Sequence, residues 1–404
     1  MPVDGFPETT LDVLDPAASA AIEPALAASQ DPNVWVYRFD DARSGWRLSI
    51  ATHGEPGSGT LSLGGFRIAP EGRVSLPGYD NDREAIDLAI GMEEKVRWSR
   101  ITDVGGPLAR EAAGRIVGGK CVLRPTAGSR VGEANDHALL DWAIVCFHEF
   151  EARSGVHLTT GQDLGHGLMS DGVTQSLAYL HERFGGSVLA DTSVPTAEGN
   201  YHLLRGMLRG SGEEPARAMV SLVGAGNIGR HVLELLRADG TGAQVLEAVP
   251  ATRALVEAGG VRAWPAERKA FFLALPADAV VVNAAGGSLD APAIAAIAAN
   301  QRVRVVCGSE NLAMPDPRGA DILLAARTLY APTELGGMMG YLTAVEEYLA
   351  RRAGVPFELR TVLEAARRLE TVGYEAAAQV VSGGYRQTFE AAVRELNTPA
   401  RSGA

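Results

Sequence analysis

The sequence has few cysteines, no long apolar run and no basic stripe. Its three cysteines, Cys121, Cys146 and Cys307, are widely spaced and form no C-x-x-C pair. That spacing argues against a disulfide framework and a structural zinc site, and it favours a reducing compartment. No apolar run approaches the roughly 18 residues of a membrane span, and the N-terminus lacks the basic start and apolar core of a signal peptide. We therefore expect a cytoplasmic protein with no membrane partner.

Other classes of protein are also disfavoured. The formal charge of −12 and the lack of a basic stripe argue against a nucleic-acid partner. His148-Glu149 lacks the second histidine of H-E-x-x-H, and Gly286–Asp290 does not match G-x-S-x-G. We expect no metal site and no covalent nucleophile. A chain of 404 residues with 46% hydrophobic and 21% charged residues fits a globular protein of two domains.

A glycine pattern just past the middle of the chain points to a ligand. The stretch VGAGNIG has the spacing G-x-G-x-x-G at Gly224, Gly226 and Gly229, with Asn227 and Ile228 between the last two. An apolar run precedes it and a helical pattern follows it, so the glycines join a strand to a helix. In that context the first glycine makes the tight turn, the second admits a pyrophosphate and the third allows close packing. The pattern predicts a dinucleotide at a helix N-terminus.

The next strand indicates which dinucleotide binds. It ends near Glu247, eighteen residues after Gly229. A carboxylate there can accept hydrogen bonds from the adenosine ribose hydroxyls, which favours NAD. Arg253 follows closely enough to leave NADP open.

The distribution of elements predicts an α/β fold. Strands and helices are mixed in the first half, and from Ala218 strands and helices alternate, which indicates a parallel, doubly wound Rossmann-type sheet. After Pro332 we expect a Gly- and Met-rich loop, ELGGMMGYL, and then a helical tail. The expected divisions are an N-terminal extension (1–30), a substrate and dimerisation domain (31–195), the NAD(P)-binding domain (196–345), and C-terminal helices partly packed on the first domain (346–404). We expect the substrate in a cleft between the two domains.

Five stretches of the chain, in order, resemble segments of one enzyme family. They are LSLGGFR (61–67), AIDLAIGMEEK (85–95), VGGKCVL (117–123), TTGQDLGHG (159–167) and the run VPTAEGNYHLLRGM that opens the second domain. The chain is similar in these stretches to the Glu/Leu/Phe/Val dehydrogenases, and most of all to the leucine and phenylalanine branch. Members of that family deaminate amino acids to 2-oxo acids. The resemblance covers roughly residues 33 to 350.

The resemblance implies specific roles. Lys95 would bind the substrate carboxylate, Lys120 would be the catalytic lysine, and Asp163 would move protons at the substrate nitrogen. Gly64, Gly65 and Met92 would line the substrate site. Family members usually assemble from dimers through the first domain, so a homodimer or a larger homo-oligomer is expected. The implied reaction is NAD(P)-dependent oxidative deamination of an L-amino acid to its 2-oxo acid and ammonia.

The chemistry requires a lysine with a lowered pKa. An exposed lysine titrates near 10.4, too high for a base near neutral pH, whereas burial and a nearby cation lower its pKa. Lys95 is a candidate for that cation. Structural explanations stand beside the catalytic ones. A Gly-Gly-Lys turn is usually solvated, a lysine at a helix end favours the macrodipole, and Asp163 can cap a turn.

The chain departs from the family pattern in the second domain. Glu310, followed by Asn311, replaces a neutral amide near the nicotinamide, and GGMMG replaces an Asn-Ala-Gly-Gly loop. An extra stretch, roughly GPLAREAAGR, separates Lys95 from Lys120. We predict that Glu310, Asn311 and the strand-end residues Ala284 and Ala285 contact the cofactor. A plain strand-to-loop turn is the alternative for Ala284 and Ala285. The two methionines of GGMMG would suit an apolar or bulky substrate side chain, and core filling is the alternative for them.

Two other functions stay open. One is an oxidoreductase that acts on another C=N or C=O group with a similar scaffold. The other is a catalytically silent dinucleotide-binding protein that serves as a sensor or scaffold.

Overall fold

The computed structural model describes residues 2–3 and 6–396. The chain forms two compact units. The first contains the chain from its N-terminus to Val96, together with Pro107–Asp191 and Thr343–Phe357. The second contains Arg97–Gly106, Thr192–Leu342 and the chain from Glu358 onward. The stretch from Thr343 to Phe357 therefore belongs to the first unit, and the helices after it belong to the second.

The described part of the first unit is built on one mixed sheet. Its strands in chain order are β1 (Pro2–Val3), β2 (Phe6–Leu14), β3 (Trp35–Asp41), β4 (Arg47–Thr52), β5 (Leu61–Ile68), β6 (Ile116–Arg124) and β7 (His157–Gln162). Their order across the sheet is β1-β2-β3-β4-β6-β5-β7. β5 pairs in parallel with both β6 and β7, so the carboxyl ends of these three strands lie at one edge. Side chains that follow neighbouring strands meet at such an edge.

Both faces of this sheet are covered. The helices of the unit, in chain order, are α1 (Pro16–Ile22), α2 (Glu71–Val74), α3 (Asn81–Thr102), α4 (Pro107–Glu111), α5 (Asp136–Ser154) and α6 (Ser176–Arg183), with α3 continuing into the second unit. Residues 343–353, the last part of a later helix, also belong to the first unit. Aromatic residues of α5, such as Trp142 and Phe147, join a buried cluster with Phe66 of β5. Apolar residues of α3, such as Ile86, join a second cluster with Val122 of β6. Alternation along each strand therefore separates an α5 face from an α3 face.

The N-terminal extension contains a strand that the sequence did not reveal. β2 pairs with β3 in antiparallel register, with Leu11 opposite Phe39. Only alternate residues such as Thr9 and Leu11 are buried in β2, and Pro7 lies near its start. A proline at the start of a strand near a sheet edge is tolerated, but it weakens the strand pattern in the sequence. The described part of the extension is thus largely a component of the first sheet.

The second unit holds a parallel sheet over its described residues. Its strands are β8 (Met219–Val223), β9 (Gly242–Leu246), β10 (Arg262–Trp264), β11 (Ala279–Val282), β12 (Val305–Gly308) and β13 (Leu329–Tyr330). The order β10-β9-β8-β11-β12-β13 corresponds to the 3-2-1-4-5-6 order of a Rossmann sheet. The predicted doubly wound parallel sheet is confirmed. Its order reverses between β8 and β11, where ligands of such sheets bind.

The remaining helices follow in chain order. They are α7 (Ser193–Gly210), α8 (Asn227–Ala238), α9 (Pro250–Ala258), α10 (Lys269–Leu273), α11 (Ala291–Ala299), α12 (Gly319–Ala325), α13 (Thr333–Ala353), α14 (Leu359–Ala366), α15 (Arg368–Ser382) and α16 (Phe389–Leu396). Among the residues described, no helix is both long and apolar enough to cross a membrane.

The prediction of a loop at ELGGMMGYL is wrong, because α13 begins at Thr333 and includes this stretch. The glycines suggested a loop, yet Gly336 has a packing reason. A Cβ at Gly336 would lie 2.1 Å from the carbonyl oxygen of Gly308 at the end of β12. The helix approaches the strand too closely for a side chain, and this requirement outweighs the low helix propensity of glycine.

Candidate functional site

Lys120 and Asp163 meet at the edge formed by the carboxyl ends of β5, β6 and β7. Lys120 lies within β6 and projects from the α3 face, whereas its neighbour Cys121 belongs to the α5 cluster. Asp163 follows β7 directly, and its carboxylate forms an ion pair with the Lys120 ammonium. The residue Lys120 is only 4% exposed. The alternative of a solvated Gly-Gly-Lys turn is therefore wrong.

Two glycines of β5 make room for this ion pair. A Cβ at Gly64 would lie 1.9 Å from the carbonyl oxygen of Gly119, so β5 approaches β6 more closely than a side chain allows. A Cβ at Gly65 would lie 3.0 Å from Nζ of Lys120 and 3.4 Å from Oδ2 of Asp163. Gly65 thus leaves space directly beside the two charged groups. The structure brings Gly64, Gly65, Lys120 and Asp163 together, as the sequence motifs suggested.

A second cation contacts Asp163, and the sequence reasoning missed it. Nη2 of Arg67 lies 3.3 Å from Oδ1 of Asp163, while Nη1 lies 2.6 Å from Oε1 of Glu84. Arg67 is two residues beyond Gly65 in β5, so alternation places both on the same face as Lys120. That spacing was the available signal, since Gly65 had already been placed in the substrate site.

The electrostatics of the pair follow from this arrangement. Burial lowers the pKa of Lys120; Asp163 opposes the shift and Arg67 adds to it. Burial favours a raised pKa for Asp163, but Lys120 and Arg67 outweigh it and hold the pKa of the carboxyl below its usual range. Arg67 is thus a cation that acts on Lys120, and the suggested contribution of Lys95 stays a prediction. A lysine with a lowered pKa beside an ionised carboxylate is suited to proton transfer.

The loop after β7 is fixed to β5. The backbone N–H of Ile68 donates to the carbonyl of Leu164, and Nε2 of His166 lies 2.7 Å from the carbonyl oxygen of Phe66. Oδ1 of Asp163 also accepts a hydrogen bond from the N–H of Leu164. The carboxylate therefore caps its local turn, as the structural alternative proposed, while it pairs with Lys120.

Lys95 and Met92 lie on α3, the helix that covers this face. α3 runs to Thr102, so Lys95 lies inside the helix and is buried; the interpretation of Lys95 as a helix-end cation is wrong. Lys95 follows Met92 by three residues, which places both on one side of the helix. The same helix contacts β6, because Oε2 of Glu93 accepts a 2.6 Å hydrogen bond from the N–H of Gly118. The roles of Lys95 and Met92 at the substrate stay predictions.

Lysine is rare in this chain, so its presence at positions 95 and 120 is informative. The chain has 37 lysine and arginine residues, of which only Lys95, Lys120 and Lys269 are lysines. Lys269 pairs with Asp290 at 2.7 Å in the second unit. Arginine does not lose its proton in proteins, whereas a buried lysine does so readily. A group that must release a proton at position 120 therefore requires lysine, even in a chain that otherwise prefers arginine.

The glycine turn of the second unit has the predicted form. Gly224 has φ +86°, and a Cβ there would lie 2.8 Å from the carbonyl oxygen of Asn283. A Cβ at Gly229 would lie 2.0 Å from the carbonyl oxygen of Gly224, so this glycine allows α8 to pack closely. Gly226 and Asn227 are exposed, and nothing lies within 4 Å of a Cβ at Gly226. These features fit a dinucleotide, since a pyrophosphate has open access to the backbone at the start of α8.

Glu247 lies beside this turn, just after β9. Its Oε2 accepts a 2.7 Å hydrogen bond from the N–H of Ala225, and its Oε1 accepts one of 2.7 Å from the N–H of Val249. Each carboxylate oxygen has a second lone pair that can accept a hydroxyl. Arg253, the residue that had left NADP open, donates its Nη1 to the carbonyl oxygens of Glu247 and Ala248 at 2.8 and 3.2 Å.

The other predicted cofactor residues lie at the same edge of the parallel sheet. Glu310 is buried, and its two carboxylate oxygens accept hydrogen bonds from the N–H groups of Ala284 (2.9 Å) and Ser288 (2.8 Å). Ala284 and Ala285 are exposed. A Cβ at Gly286 would lie 3.4 Å from the carbonyl oxygen of Asn311. Glu310 therefore shapes the loop after β11, and direct contact of these residues with a cofactor stays a prediction.

Cysteine thiols and metal-ligating side chains are the other groups that could react in the described part of the chain. Burial raises the pKa of Cys121 to about 12 and that of Cys307 to about 12. Cys146 is also buried. Within residues 2–3 and 6–396, no group of three His, Cys, Asp or Glu side chains has the arrangement of a metal site.

Comparisons with known proteins give a match by structure alone. No protein-family model matches the sequence, and no curated protein sequence matches it. Among solved structures, the chain is similar to L-tryptophan dehydrogenase from Nostoc punctiforme (TM-score 0.60, 16% identity, 90% of this chain and 93% of that chain). It is also similar to a hetero-hexameric glutamate dehydrogenase from Thermus thermophilus (TM-score 0.61, 17% identity, 96% and 87%). A third similar structure is glutamate dehydrogenase from Peptoniphilus asaccharolyticus (TM-score 0.57, 16% identity, 94% and 96%).

At these identities the likeness establishes the fold. The mixed sheet of the first unit, the parallel sheet of the second and the neighbours agree with one another. The predicted α/β fold class and the predicted resemblance are confirmed at that level. The chain therefore has the two-domain fold of the amino-acid dehydrogenases.

Proposed function

We propose that this chain is an NAD-dependent dehydrogenase that converts an L-amino acid to its 2-oxo acid and ammonia, and that also catalyses the reverse reaction. The observation that carries the proposal is the buried Lys120–Asp163 ion pair beside the space left by Gly65. The exposed glycine turn after β8 supports the cofactor assignment. The fold shared with amino-acid dehydrogenases supports the reaction class.

The first proposed steps place and activate the substrate. Lys95 binds the carboxylate of the amino acid and thereby orients the α-hydrogen. Asp163 accepts a proton from the substrate ammonium, and the nitrogen lone pair then forms the C=N bond as the hydride leaves the α-carbon. NAD, when bound, accepts this hydride. Gly65 leaves the space in which the α-carbon lies, and Gly64 allows β5 to approach β6 closely beside it.

The later proposed steps use Lys120 as the base. Neutral Lys120 takes a proton from water while the water oxygen bonds to the imine carbon. Asp163 returns a proton to the nitrogen, and the C–N bond breaks with its electron pair on the nitrogen. Ammonia leaves, the hydroxyl proton passes to Asp163, and the 2-oxo acid remains. The lowered pKa of Lys120 keeps part of the amine neutral for this role.

The cofactor preference is proposed from Glu247. Its carboxylate, which accepts the N–H of Ala225 in the glycine turn, would accept the adenosine ribose hydroxyls in the proposed complex, and its charge would repel a 2′-phosphate. Arg253 is held by two backbone carbonyls, which keeps it from serving as a ready partner for that phosphate. NAD is therefore proposed over NADP.

The test is a turnover assay on the purified full chain. NAD and then NADP are supplied with a panel of L-amino acids, and the absorbance of the reduced nicotinamide is followed. The reverse reaction is followed with 2-oxo acids and ammonium. We expect ammonium-dependent turnover with at least one member of the panel. Reduction of ketones without ammonium would favour the alternative C=O enzyme, and NAD binding without any turnover would favour the silent protein.

The assembly and the location of the protein also stay predictions. The Thermus thermophilus neighbour is a hetero-hexamer, which supports the expectation that this chain forms an oligomer. Light scattering of the purified protein tests whether the chain forms a homodimer or a larger homo-oligomer. Fractionation of cells that express the chain tests the predicted cytoplasmic location.

A further inference from the structure

A row of alternating charges runs from a partly exposed arginine to the buried lysine. Nε of Arg73 lies 2.6 Å from Oε1 of Glu84, and the same oxygen lies 2.6 Å from Nη1 of Arg67. Arg67 then contacts Asp163, which contacts Lys120. The side chain of Arg73 is 39% exposed, whereas that of Arg67 is 7% exposed. The charge at Arg67 is therefore screened far less by water than the charge at Arg73.

Arg67 and Lys120 share one carboxylate. Oδ1 of Asp163 faces the guanidinium and Oδ2 faces the ammonium. A carboxylate that serves two cations stabilises each cation less than it would stabilise one alone. Arg67 keeps its proton throughout, so the balance is adjusted at Lys120. Glu84 fixes the other arm of Arg67 and prevents both arms from turning to Asp163.

We propose that Arg67, held by Glu84, is a positioning residue of this site: it fixes the Asp163 carboxylate and competes with Lys120 for that carboxylate, so that Lys120 releases its proton readily. This inference rests on the proposed function for its catalytic meaning. Its electrostatic content concerns Lys120 alone and is measurable without turnover.

The neighbours of Lys120 define what else acts on it. The ionisable groups on the surrounding elements include Arg67 of β5, Asp163 and His166 after β7, Cys121 of β6, His53 after β4, and Glu84, Glu93 and Lys95 of α3. Cys121 faces the opposite side of the sheet. Burial lowers the pKa of His166, which favours its neutral form. Arg67 is a cation in direct contact with the carboxylate that pairs with Lys120.

The experiment measures the titration of Lys120 directly. The chain has three lysines, so protein labelled with ¹³C-lysine gives three Cε signals, and Lys95→Arg and Lys269→Arg assign them. In Arg67→Met, Asp163 turns wholly to Lys120 and a neighbouring positive charge is lost. We expect the titration midpoint of Lys120 to rise by about one pH unit or more. Arg67→Lys keeps the charge and should leave the midpoint close to wild type.

Glu84→Gln provides a test of opposite sign. Loss of the Glu84 charge leaves Arg67 free to engage Asp163 with both arms, so the Lys120 midpoint should fall. Arg47→Met is the control, because Arg47 is a partly buried arginine of the same sheet that pairs with Asp40. It should leave the Lys120 midpoint unchanged.

The possible outcomes separate this inference from the proposed function. An unchanged midpoint in folded Arg67→Met overturns the inference. If Arg67→Met does not fold, an unchanged or raised midpoint in Glu84→Gln overturns it. The expected shifts in a protein that turns over no amino acid would support the inference and refute the proposed function. Turnover by the wild type with no shift in any variant would do the reverse.

Discussion

Each of the two sheets has a carboxylate at its carboxyl edge that is largely shielded from solvent, and the two carboxylates are stabilised differently. Asp163 in the first unit faces the ammonium of Lys120 and the guanidinium of Arg67. Glu310 in the second unit accepts backbone N–H groups of Ala284 and Ser288. Backbone amides do not titrate, so Glu310 fixes a loop conformation. An ammonium does titrate, so Asp163 has a neighbour with which it can exchange a proton.

The same contrast distinguishes the two units, each taken by itself. In the first unit, the groups described are ionised side chains and the spaces that glycines leave beside them. In the second unit, carboxylates accept hydrogen bonds from backbone N–H groups and thereby fix the conformation of its loops. Substitutions in the first unit should therefore change rates and pH dependence, and substitutions in the second should change cofactor binding and stability.

The largest expected effect tests the charged residues of the first unit. Lys120→Ala removes the proposed base, and we expect kcat to fall about 10³-fold in steady-state kinetics. Lys95→Ala should mainly raise KM, because it removes a carboxylate contact. Lys269→Ala, at the Asp290 pair in the other unit, is the control and should retain activity. Comparable activity in Lys120→Ala would remove the mechanism.

The next largest effect tests the glycine turn of the second unit. In Gly226→Ala the new methyl group meets no protein atom within 4 Å, so the melting temperature should not change. The methyl group occupies the approach of the pyrophosphate, and we expect the Kd for NAD to rise roughly tenfold to a hundredfold by calorimetric titration. Gly114→Ala, at another glycine with an open surrounding, should bind NAD normally. Equal affinities in the two variants would argue against a pyrophosphate at this turn.

A third substitution tests whether Glu310 is held as described. Glu310→Gln presents an NH₂ group to one of two backbone donors, and we expect a loss of about 2 kcal/mol in the free energy of unfolding, measured with denaturant. Glu364→Gln removes an exposed partner of Arg360 and should cost less than about 0.5 kcal/mol. A Glu310→Gln protein as stable as wild type would show that the two N–H groups find other acceptors.

The smallest expected effect concerns the cofactor. Glu247→Ser removes the charge that disfavours a 2′-phosphate, and we expect the ratio of kcat/KM for NADP to that for NAD to rise about tenfold. Glu257→Ser, on the exposed side of α9, is the matched control. A wild type that prefers NADP would contradict the assignment before any variant is made.

The sequence was sufficient where a local pattern dictates the backbone. Gly224, Gly226 and Gly229 lie between a short apolar run and an amphipathic helix, and the structure has the expected turn there. The ion pair of Lys120 and Asp163 is consistent with the roles that the family motifs implied for them. The glycine turn depends on residues close in sequence, whereas the ion pair joins residues 43 positions apart and was reached through the order of the family motifs.

The sequence was insufficient where long-range packing decides. Gly336 is a glycine inside a helix because α13 passes too close to Gly308 for a side chain. No residue near Gly336 in the sequence indicates this close contact. The hydrogen-bond partners of Glu310 are 26 and 22 residues away in the sequence. The sequence therefore showed only that Glu310 departs from a family motif, and its structural role could not be predicted. Arg67 resembled an ordinary polar residue of a strand until Asp163, 96 residues later, proved to be its partner.

The scarcity of lysine has a consequence for the alkaline range in which deamination of amino acids is favoured. Arginine supplies nearly all the positive side chains, and guanidinium groups hold their charge far above neutral pH. As hydroxide concentration rises, the many guanidinium groups therefore keep their charge. Base titration of this protein would therefore report mainly on tyrosines, with few lysine amines contributing.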